Sequence, residues 1–379
     1  MKYYIIAGEA SGDLHGSNLV RALRDADPQA RIRAWGGDLM QQAGAEVVKH
    51  YRDLAFMGFV EVVANLRTIL RNIRFCKQDI EAFAPDAVIL VDYPGFNLRI
   101  AKWCRKKGYR TVYYISPQVW AWKEGRGKAI RRNVDRMLVI LPFEKDFYRR
   151  HHYPVEYVGH PLLDALARRS APDPEAFRRE EGLDGRPVVA LLPGSRSQEI
   201  RAMLPVMARM ADVYPEYQFV VAATPVQPAE LYDRLLASRP IKRVTGRTYD
   251  LLSVAHAALV TSGTATLETA LLGIPEVVCY KGSPVSYLIG RMVVKVPFIS
   301  LVNLIAGREV VKELIQGAMN PRDLSRELGR ILSGQAREKM LEDFASIRHL
   351  LGDGGASQRA AEAIVGFLHQ EEDQQTEGR

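Results

Sequence analysis

Cysteine is scarce in this chain of 379 residues: Cys76, Cys104 and Cys279, none closely spaced with another. That excludes a disulfide framework and a cysteine-built zinc site, and it fits a reducing, cytoplasmic setting. Long apolar runs are missing too. The opening MKYYIIAGEASGD is too short in its apolar part for a signal peptide, and Glu9 interrupts it. The later apolar stretch Pro297 to Ala306 falls well short of the ~20 residues a spanning helix needs. A membrane, if met at all, is met at its surface. There is no Walker A loop, no G-x-G-x-x-G dinucleotide fingerprint and no G-x-S-x-G nucleophile elbow, which argues against P-loop ATP hydrolysis and serine-hydrolase chemistry. Metal constellations are absent as well. Asp25-Ala26-Asp27 is formally a D-x-D, but it ends a helical pattern before Pro28 and reads as a turn, and His151-His152 reads as surface. Neither metal nor cofactor is expected.

What is present is ample core material. Hydrophobic residues make up 47% and charged residues 25%, ordinary for a globular protein, and the length predicts two domains. The net charge of +8 suits acidic small molecules, anionic membrane surfaces or nucleic acid without choosing among them. Short apolar runs alternate with amphipathic segments: strands are predicted at Tyr3–Ala7, Ile32–Trp35, Ala87–Val91, Thr111–Ile115, Arg136–Ile140 and Val155–Val158, and helices at Asn18–Asp25, Val60–Phe83, Leu98–Lys107 and Glu144–His151. Such alternation implies βαβ units and a parallel sheet covered on both faces. A segment rich in proline, glycine and charge, Arg168 to Pro187, reads as a linker. The alternation then restarts, with strands at Val188–Leu192, Gln218–Ala222, Ile241–Val244, Ala257–Thr261 and Glu276–Cys279. The expectation is an α/β protein of two Rossmann-like doubly wound domains, 1–170 and 171–350, followed by a C-terminal helix and polar tail, 351–379.

Three strand-to-helix turns carry chemistry. In AGEASGDLHG, Ala7 to Gly16, the acids Glu9 and Asp13 would repel a pyrophosphate, so the loop suits a hydroxyl-bearing group; Ser11 or Asp13 could equally cap the helix. In LLPGSRSQEI the turn Gly194-Ser195-Arg196 opens a helix, where backbone N–H groups and the Arg196 charge suit an anion. TSGTATLE repeats that logic: Ser262, Gly263 and Thr264 let the backbone approach a phosphate, and Glu268, about one turn on, is placed to accept hydrogen bonds from ribose hydroxyls. A fourth feature is DAVILVDYPGFN, where a buried strand delivers Asp92 to its end. Finally, the Met57–Phe75 segment is apolar at Val60, Val63, Leu66, Leu70 and Ile73 and flanked by Arg67, Arg71 and Arg74. That pattern fits a helix packed on the sheet or a basic amphipathic helix lying on an anionic membrane.

The motifs AGEASGD, MGFVEV, SPQVWAW, LPFEKDFY, VGHP, LPGSR, SGTATLE and NLIAGREVVKEL occur in order across nearly the whole chain. Together they closely resemble the lipid-A-disaccharide synthase family. The resemblance implies a GT-B glycosyltransferase, two Rossmann-like domains facing a cleft. It implies transfer of 2,3-diacylglucosamine from its UDP derivative to the 6-hydroxyl of 2,3-diacylglucosamine 1-phosphate, giving a β-1,6 disaccharide 1-phosphate and UDP. The partners would be the UDP-linked acylated glucosamine donor, the acylated glucosamine 1-phosphate acceptor and the anionic inner-membrane surface, on the cytoplasmic side. No nucleic acid is expected, and a homodimer is left open. Asn303 and Arg308, in SLVNLIAGRE, match a family segment near the donor. Many members carry D-x-P-D-F-N where this chain has Asp92 to Asn97; the first acid, usually nominated as base, matches Asp92, while Gly95 replaces the second. Ser11, Asp13 and Asn97 are expected on the acceptor side. Glu9 is the alternative base, with Asp13 and His15 behind it. Rival readings are another UDP-sugar enzyme of the same fold, such as a 2-epimerase, or a non-catalytic nucleotide-sugar binding module.

Overall fold

A computed structural model describes residues 1–54, 66–117, 125–169, 173–237, 239–282, 287 and 296–377. The chain divides into two compact units: Met1–Arg169 together with Leu351–Arg379, and Ser170–Leu350.

The first unit is built on seven parallel strands, β1 (Lys2–Ala7), β2 (Arg31–Gly36), β3 (Glu46–His50), β4 (Ala87–Val91), β5 (Thr111–Tyr114), β6 (Arg136–Val139) and β7 (Glu156–Tyr157). Their order is β3-β2-β1-β4-β5-β6-β7. β4, AVILV, is buried along its whole length, as a central parallel strand covered on both faces must be. Four aromatics, Tyr3, Tyr4, Tyr113 and Tyr114, are wholly buried on β1 and β5, as is Trp35 on β2. The Trp35 indole N–H donates to the Tyr4 hydroxyl at 2.8 Å, and that hydroxyl donates to Asp79 at 2.7 Å, so these two large rings bring no unpaired polar atom into the core.

Residues from Leu351 on do not form a separate appendage. The helix Ala356–Glu377 packs against the helix Ala10–Ala26. Its start is gripped by Asp164, whose carboxylate accepts from the backbone N–H groups of Gly355 (2.6 Å), Ala356 (3.2 Å) and Ser357 (2.7 Å). Those amides have no partner inside the helix, and a carboxylate there also complements the helix dipole. Arg359 adds a bond from Nε to the Val158 carbonyl at 2.8 Å.

The second unit has six parallel strands, β8 (Val188–Leu192), β9 (Gln218–Ala223), β10 (Lys242–Thr245), β11 (Ala255–Thr261), β12 (Glu276–Tyr280) and β13 (Lys312–Ile315), in the order β10-β9-β8-β11-β12-β13. One core face gathers Val188, Ala190, Val220, Val244, Ala258 and Val260 under Phe177 and Leu251. In β12, Glu276 is wholly buried and, among the described residues, neither carboxylate oxygen has a hydrogen-bond partner; burial pushes its carboxyl well above the ordinary range.

Several expectations change in detail. The first helix starts at Ala10, so Ser11 and Asp13 lie in its first turn, not in a loop. The linker contains a helix, Pro174–Glu180, because Asp173 caps it by accepting from Glu175 and Ala176 N–H and Pro174 fits its first position. After β8 the chain forms two helices, Ser197–Ala208 and Met210–Val213, with Pro205 inside the first. Val60 and Val63 lie outside the described residues, and the helix is described from Leu66 to Phe83.

Candidate active site

In each sheet the strand order reverses at one place, between β1 and β4 and between β8 and β11. Open parallel α/β sheets bind ligands beyond the carboxyl ends of the strands at such a reversal. In the first unit Ala7 pairs with Val91, so the turns after β1 and β4 emerge side by side, carrying Glu9 and Asp92.

Asp92 and Tyr93 both hold left-handed backbone conformations, φ 43° and 47°. Residues other than glycine pay about 1–3 kcal/mol each to sit there, and such strain persists only where neighbours impose it. The neighbours are visible. The Asp92 carbonyl accepts from the Tyr113 hydroxyl at 2.5 Å and from Asn97 Nδ2 at 2.9 Å. Asn97 Nδ2 also reaches the carbonyls of Val91 (3.2 Å) and Ile6 (3.3 Å), tying the two turns together. The Tyr93 ring lies over Gly8, where a Cβ would come within 2.4 Å of it, and stacks on Phe96 at 5.6 Å. Gly8 is thus required by the close approach of that ring.

The Asp92 carboxyl is raised from its ordinary 3.8 to about 7, by burial first and by the Glu9 charge second, with a backbone N–H bond from Tyr93 pulling the other way. A carboxylate poised near neutrality is a strong candidate for a proton acceptor. Glu9 stands at the N-cap of the Ala10 helix without capping it through its side chain. His15 is buried and pushed down to about 4, neutral at physiological pH. Asp13 serves the fold. Buried, it accepts from the N–H groups of Gly37 (2.7 Å), Met40 (3.1 Å) and Leu39 (3.2 Å), capping the helix Asp38–Gln42. Asn97, wholly buried, likewise holds backbone. Gly95 has open space where a Cβ would stand.

In the second unit Leu192 pairs with Val260, so the turns Pro193–Arg196 and Ser262–Gly263 adjoin. Gly194 takes φ 98°, and a Cβ there would meet a Glu199 carboxylate oxygen at 2.5 Å. Glu199 accepts from the Arg196 backbone N–H at 3.3 Å and from its guanidinium at 3.0 Å, holding Arg196 at the start of the helix Ser197–Ala208 with its side chain half-exposed. Ser195 and Gly263 are exposed, Thr264 opens the helix Thr264–Leu271, and Glu268 sits half-buried on it. Ser262 Oγ donates to the Ile299 carbonyl at 3.2 Å.

Asn303 and Arg308 are both engaged within the second unit. Asn303 is wholly buried: its oxygen accepts from Val310 and Val311 N–H at 2.7 and 2.9 Å, and its amide donates to Glu313 at 2.9 Å. Glu313 also accepts from Ile299 and Ser300 N–H. Arg308 makes a two-pronged ion pair with Asp343 at 2.8 and 2.9 Å. Both side chains shape the 299–313 segment. Tyr113, Gly8 and Glu313 are the residues sequence reasoning missed.

On the Leu66–Phe83 helix, Arg67, Arg71 and Arg74 are exposed, as are Leu70 (55%) and Phe75 (43%), whereas Ile73, Cys76 and Ile80 are buried. The expected apolar stripe therefore divides between core and solvent. Among the described residues no helix is long and apolar enough to cross a membrane.

Comparison with known proteins decides the family. The family model for lipid-A-disaccharide synthetase matches residues 3–364. The chain belongs to this family. Similar relatives include the lipid-A-disaccharide synthase of Syntrophus aciditrophicus, 45% identical over 94% of this chain and 95% of the relative, and that of Geobacter sulfurreducens, 42% identical over 96% of each. As a lipid-A-disaccharide synthase family member the protein is a glycosyltransferase of lipid A biosynthesis. The fold is shared more widely. A UDP-GlcNAc 2-epimerase from Neisseria meningitidis bound to UDP-GlcNAc superposes with a TM-score of 0.69 at 13% identity, covering 97% of this chain and 100% of that one. The kitacinnamycin glycotransferase gives 0.69 at 14% identity, covering 97% and 99%. At such identities the likeness concerns the two-domain parallel α/β fold alone, and the family membership speaks against an epimerase.

Proposed function

We propose that the enzyme moves 2,3-diacylglucosamine from UDP-2,3-diacylglucosamine to the 6-hydroxyl of 2,3-diacylglucosamine 1-phosphate. The observation that carries this reading is the Asp92–Glu9 pair at the strand-order reversal of the first unit, with Asp92 poised near pH 7. In the proposed step Asp92 takes the proton of the acceptor hydroxyl as its oxygen attacks the anomeric carbon. The anomeric C–O bond to UDP breaks, its electron pair leaves with UDP, and the configuration inverts, giving the β-1,6 disaccharide 1-phosphate. The negative charge of Glu9 keeps the Asp92 proton affinity high.

The second unit would hold UDP: the N–H groups of the Gly194–Ser197 and Gly263–Ala265 turns and the Arg196 guanidinium at the pyrophosphate, and Glu268 at the ribose. Oriented amides and an arginine stabilise the charge developing on a leaving diphosphate. Ser11 and the turn after β1 would receive the acceptor, whose acyl chains are proposed to stay at the cytoplasmic surface of an anionic inner membrane. The helix bearing exposed Leu70 and Arg67, Arg71 and Arg74 suits that surface.

Incubation of the purified enzyme with radiolabelled donor and unlabelled acceptor tests the reading. Labelled disaccharide with a β linkage by NMR, together with stoichiometric UDP, is expected. Release of UDP without disaccharide, or an α linkage, would refute it.

A further inference from the structure

Tyr93 holds a strained backbone beside the acid pair, and its hydroxyl makes no hydrogen bond among the described residues. A bulky side chain at φ 47° is an outlier that persists only where its surroundings impose it, and such strain gathers at functional sites. Gly or Asn would sit there more easily. Tyr93 is the N-cap of the helix Pro94–Lys107, yet its side chain does not cap that helix. The conformation instead brings the ring back over the neighbouring turn, where Gly8 lies against it. Phe96 stacks on the ring at 5.6 Å with 25° between the planes, and Phe96 in turn packs on wholly buried Trp35 at 5.2 Å. The ring is thus anchored to the core while the residue stays partly exposed.

The Glu9 charge acts on both the Tyr93 hydroxyl and the Asp92 carboxyl, so the three groups share one corner at the carboxyl ends of β1 and β4. Burial first and Glu9 second raise the Tyr93 phenol above its ordinary range, so it keeps its proton and stays a hydrogen-bond donor. Other polar groups nearby are spent on the fold. Asp13 accepts from Gly37 and Met40 N–H, and Asn97 Nδ2 and the Tyr113 hydroxyl hold the Asp92 carbonyl. Gly95, two residues on, offers no side chain.

In the transfer proposed above, the acceptor sugar carries phosphate at position 1 and acyl groups at positions 2 and 3. Its free hydroxyls are those at 4 and 6, on the two carbons that flank C5. An enzyme that uses the 6-hydroxyl must hold the ring so that this group, and not its neighbour, meets the base. We propose that the Tyr93 hydroxyl donates a hydrogen bond to the 4-oxygen of the acceptor sugar and so turns the 6-hydroxyl toward Asp92. The inference rests on that reading of the reaction and adds its orienting contact. A hydroxyl both donates and accepts, so the proton of the 4-hydroxyl is left to face the Glu9 carboxylate. No bond to Tyr93 forms or breaks: the 6-oxygen attacks, its proton passes to Asp92, and the phenol keeps its own.

Steady-state transfer to 2,3-diacylglucosamine 1-phosphate and to its 4-deoxy analogue, by wild type and by Tyr93→Phe, tests this. One neutral hydrogen bond is worth roughly three- to tenfold. Wild type is expected to use the 4-deoxy acceptor with kcat/KM lower by about that factor. Tyr93→Phe should lose a similar factor on the natural acceptor and nothing further on the analogue, with KM for the UDP donor unchanged. The midpoint of its pH–rate profile should stay near 7, because the burial of Asp92 and the Glu9 charge remain. Equal loss by Tyr93→Phe on both acceptors would assign the side chain to the shape of the turn alone and overturn the proposal. If Tyr93→Phe does not fold, the wild-type comparison decides: a 4-deoxy acceptor used as well as the natural one overturns the proposal. Disaccharide formation without that discrimination overturns this inference and leaves the reaction standing. Wild type that forms no disaccharide with either acceptor overturns both.

Discussion

Replacing Asp92 by asparagine should stabilise the first unit while disabling the enzyme. The carboxyl is raised from 3.8 to about 7 in the folded protein, chiefly by burial. For a carboxyl raised in this way, ionisation favours the unfolded chain. Below pH 3.8 both states are protonated and nothing is lost. The penalty grows as the unfolded chain ionises and is complete once pH exceeds 7, where it reaches about 4 kcal/mol; at pH 5 it is about 2 kcal/mol. Asparagine removes the titration, keeps nearly the same shape and tolerates the left-handed φ of 43°. The melting temperature of Asp92→Asn relative to wild type should therefore climb between pH 5 and pH 8. The extra 2–3 kcal/mol corresponds to a further shift of roughly 5–10 °C for a unit of this size. Scanning calorimetry at both pH values measures it, and turnover should fall about 10²–10⁴-fold, the usual worth of a general base. A melting difference that does not change with pH, or a variant less stable than wild type at pH 8, would refute the argument.

Three further outcomes are expected. Glu9→Gln removes the lesser cause of the raised Asp92 proton affinity, so the alkaline rise of the pH–rate profile should move to lower pH yet stay well above pH 4; an unmoved midpoint would show that the two acids do not interact. Tyr113→Phe releases one of two bonds to the Asp92 carbonyl, so kcat should fall about tenfold with KM nearly unchanged, and an equal change in both would argue against a positioning role. Glu276→Gln should raise the melting temperature of the second unit above about pH 6, because the buried carboxyl, raised well above its ordinary range and unpaired, is costly to ionise; a lower melting temperature than wild type at pH 8 would contradict it.

The fold was legible because its central strands are short apolar runs separated by amphipathic helices, as strands buried on both faces must be. The edge strands β3, EVVKH, and β13, KELI, carry charge and alternate weakly, so periodicity did not reveal them. Candidate residues were legible as polar groups at strand ends, but what each side chain does was not. Asp13 caps a helix more than twenty residues away, and Asp164 grips one about 190 residues away, partnerships that only the folded chain creates. Tyr113 reads as a core aromatic in a buried strand, and nothing in TVYY reveals that its hydroxyl bonds the Asp92 carbonyl. Asp92 and Glu9 drew notice as acids shortly after apolar strands, and only the pairing of β1 with β4 puts their two turns side by side.

The central claim is that Asp92 takes the proton of the attacking hydroxyl. The most direct test is the pH dependence of single-turnover disaccharide formation by wild type and Asp92→Asn. The account predicts that the wild-type rate rises with pH to a plateau, with a midpoint near 7, and that the variant is slower by at least about a hundredfold and lacks that rise. A variant within tenfold of wild type that keeps the same midpoint would contradict it.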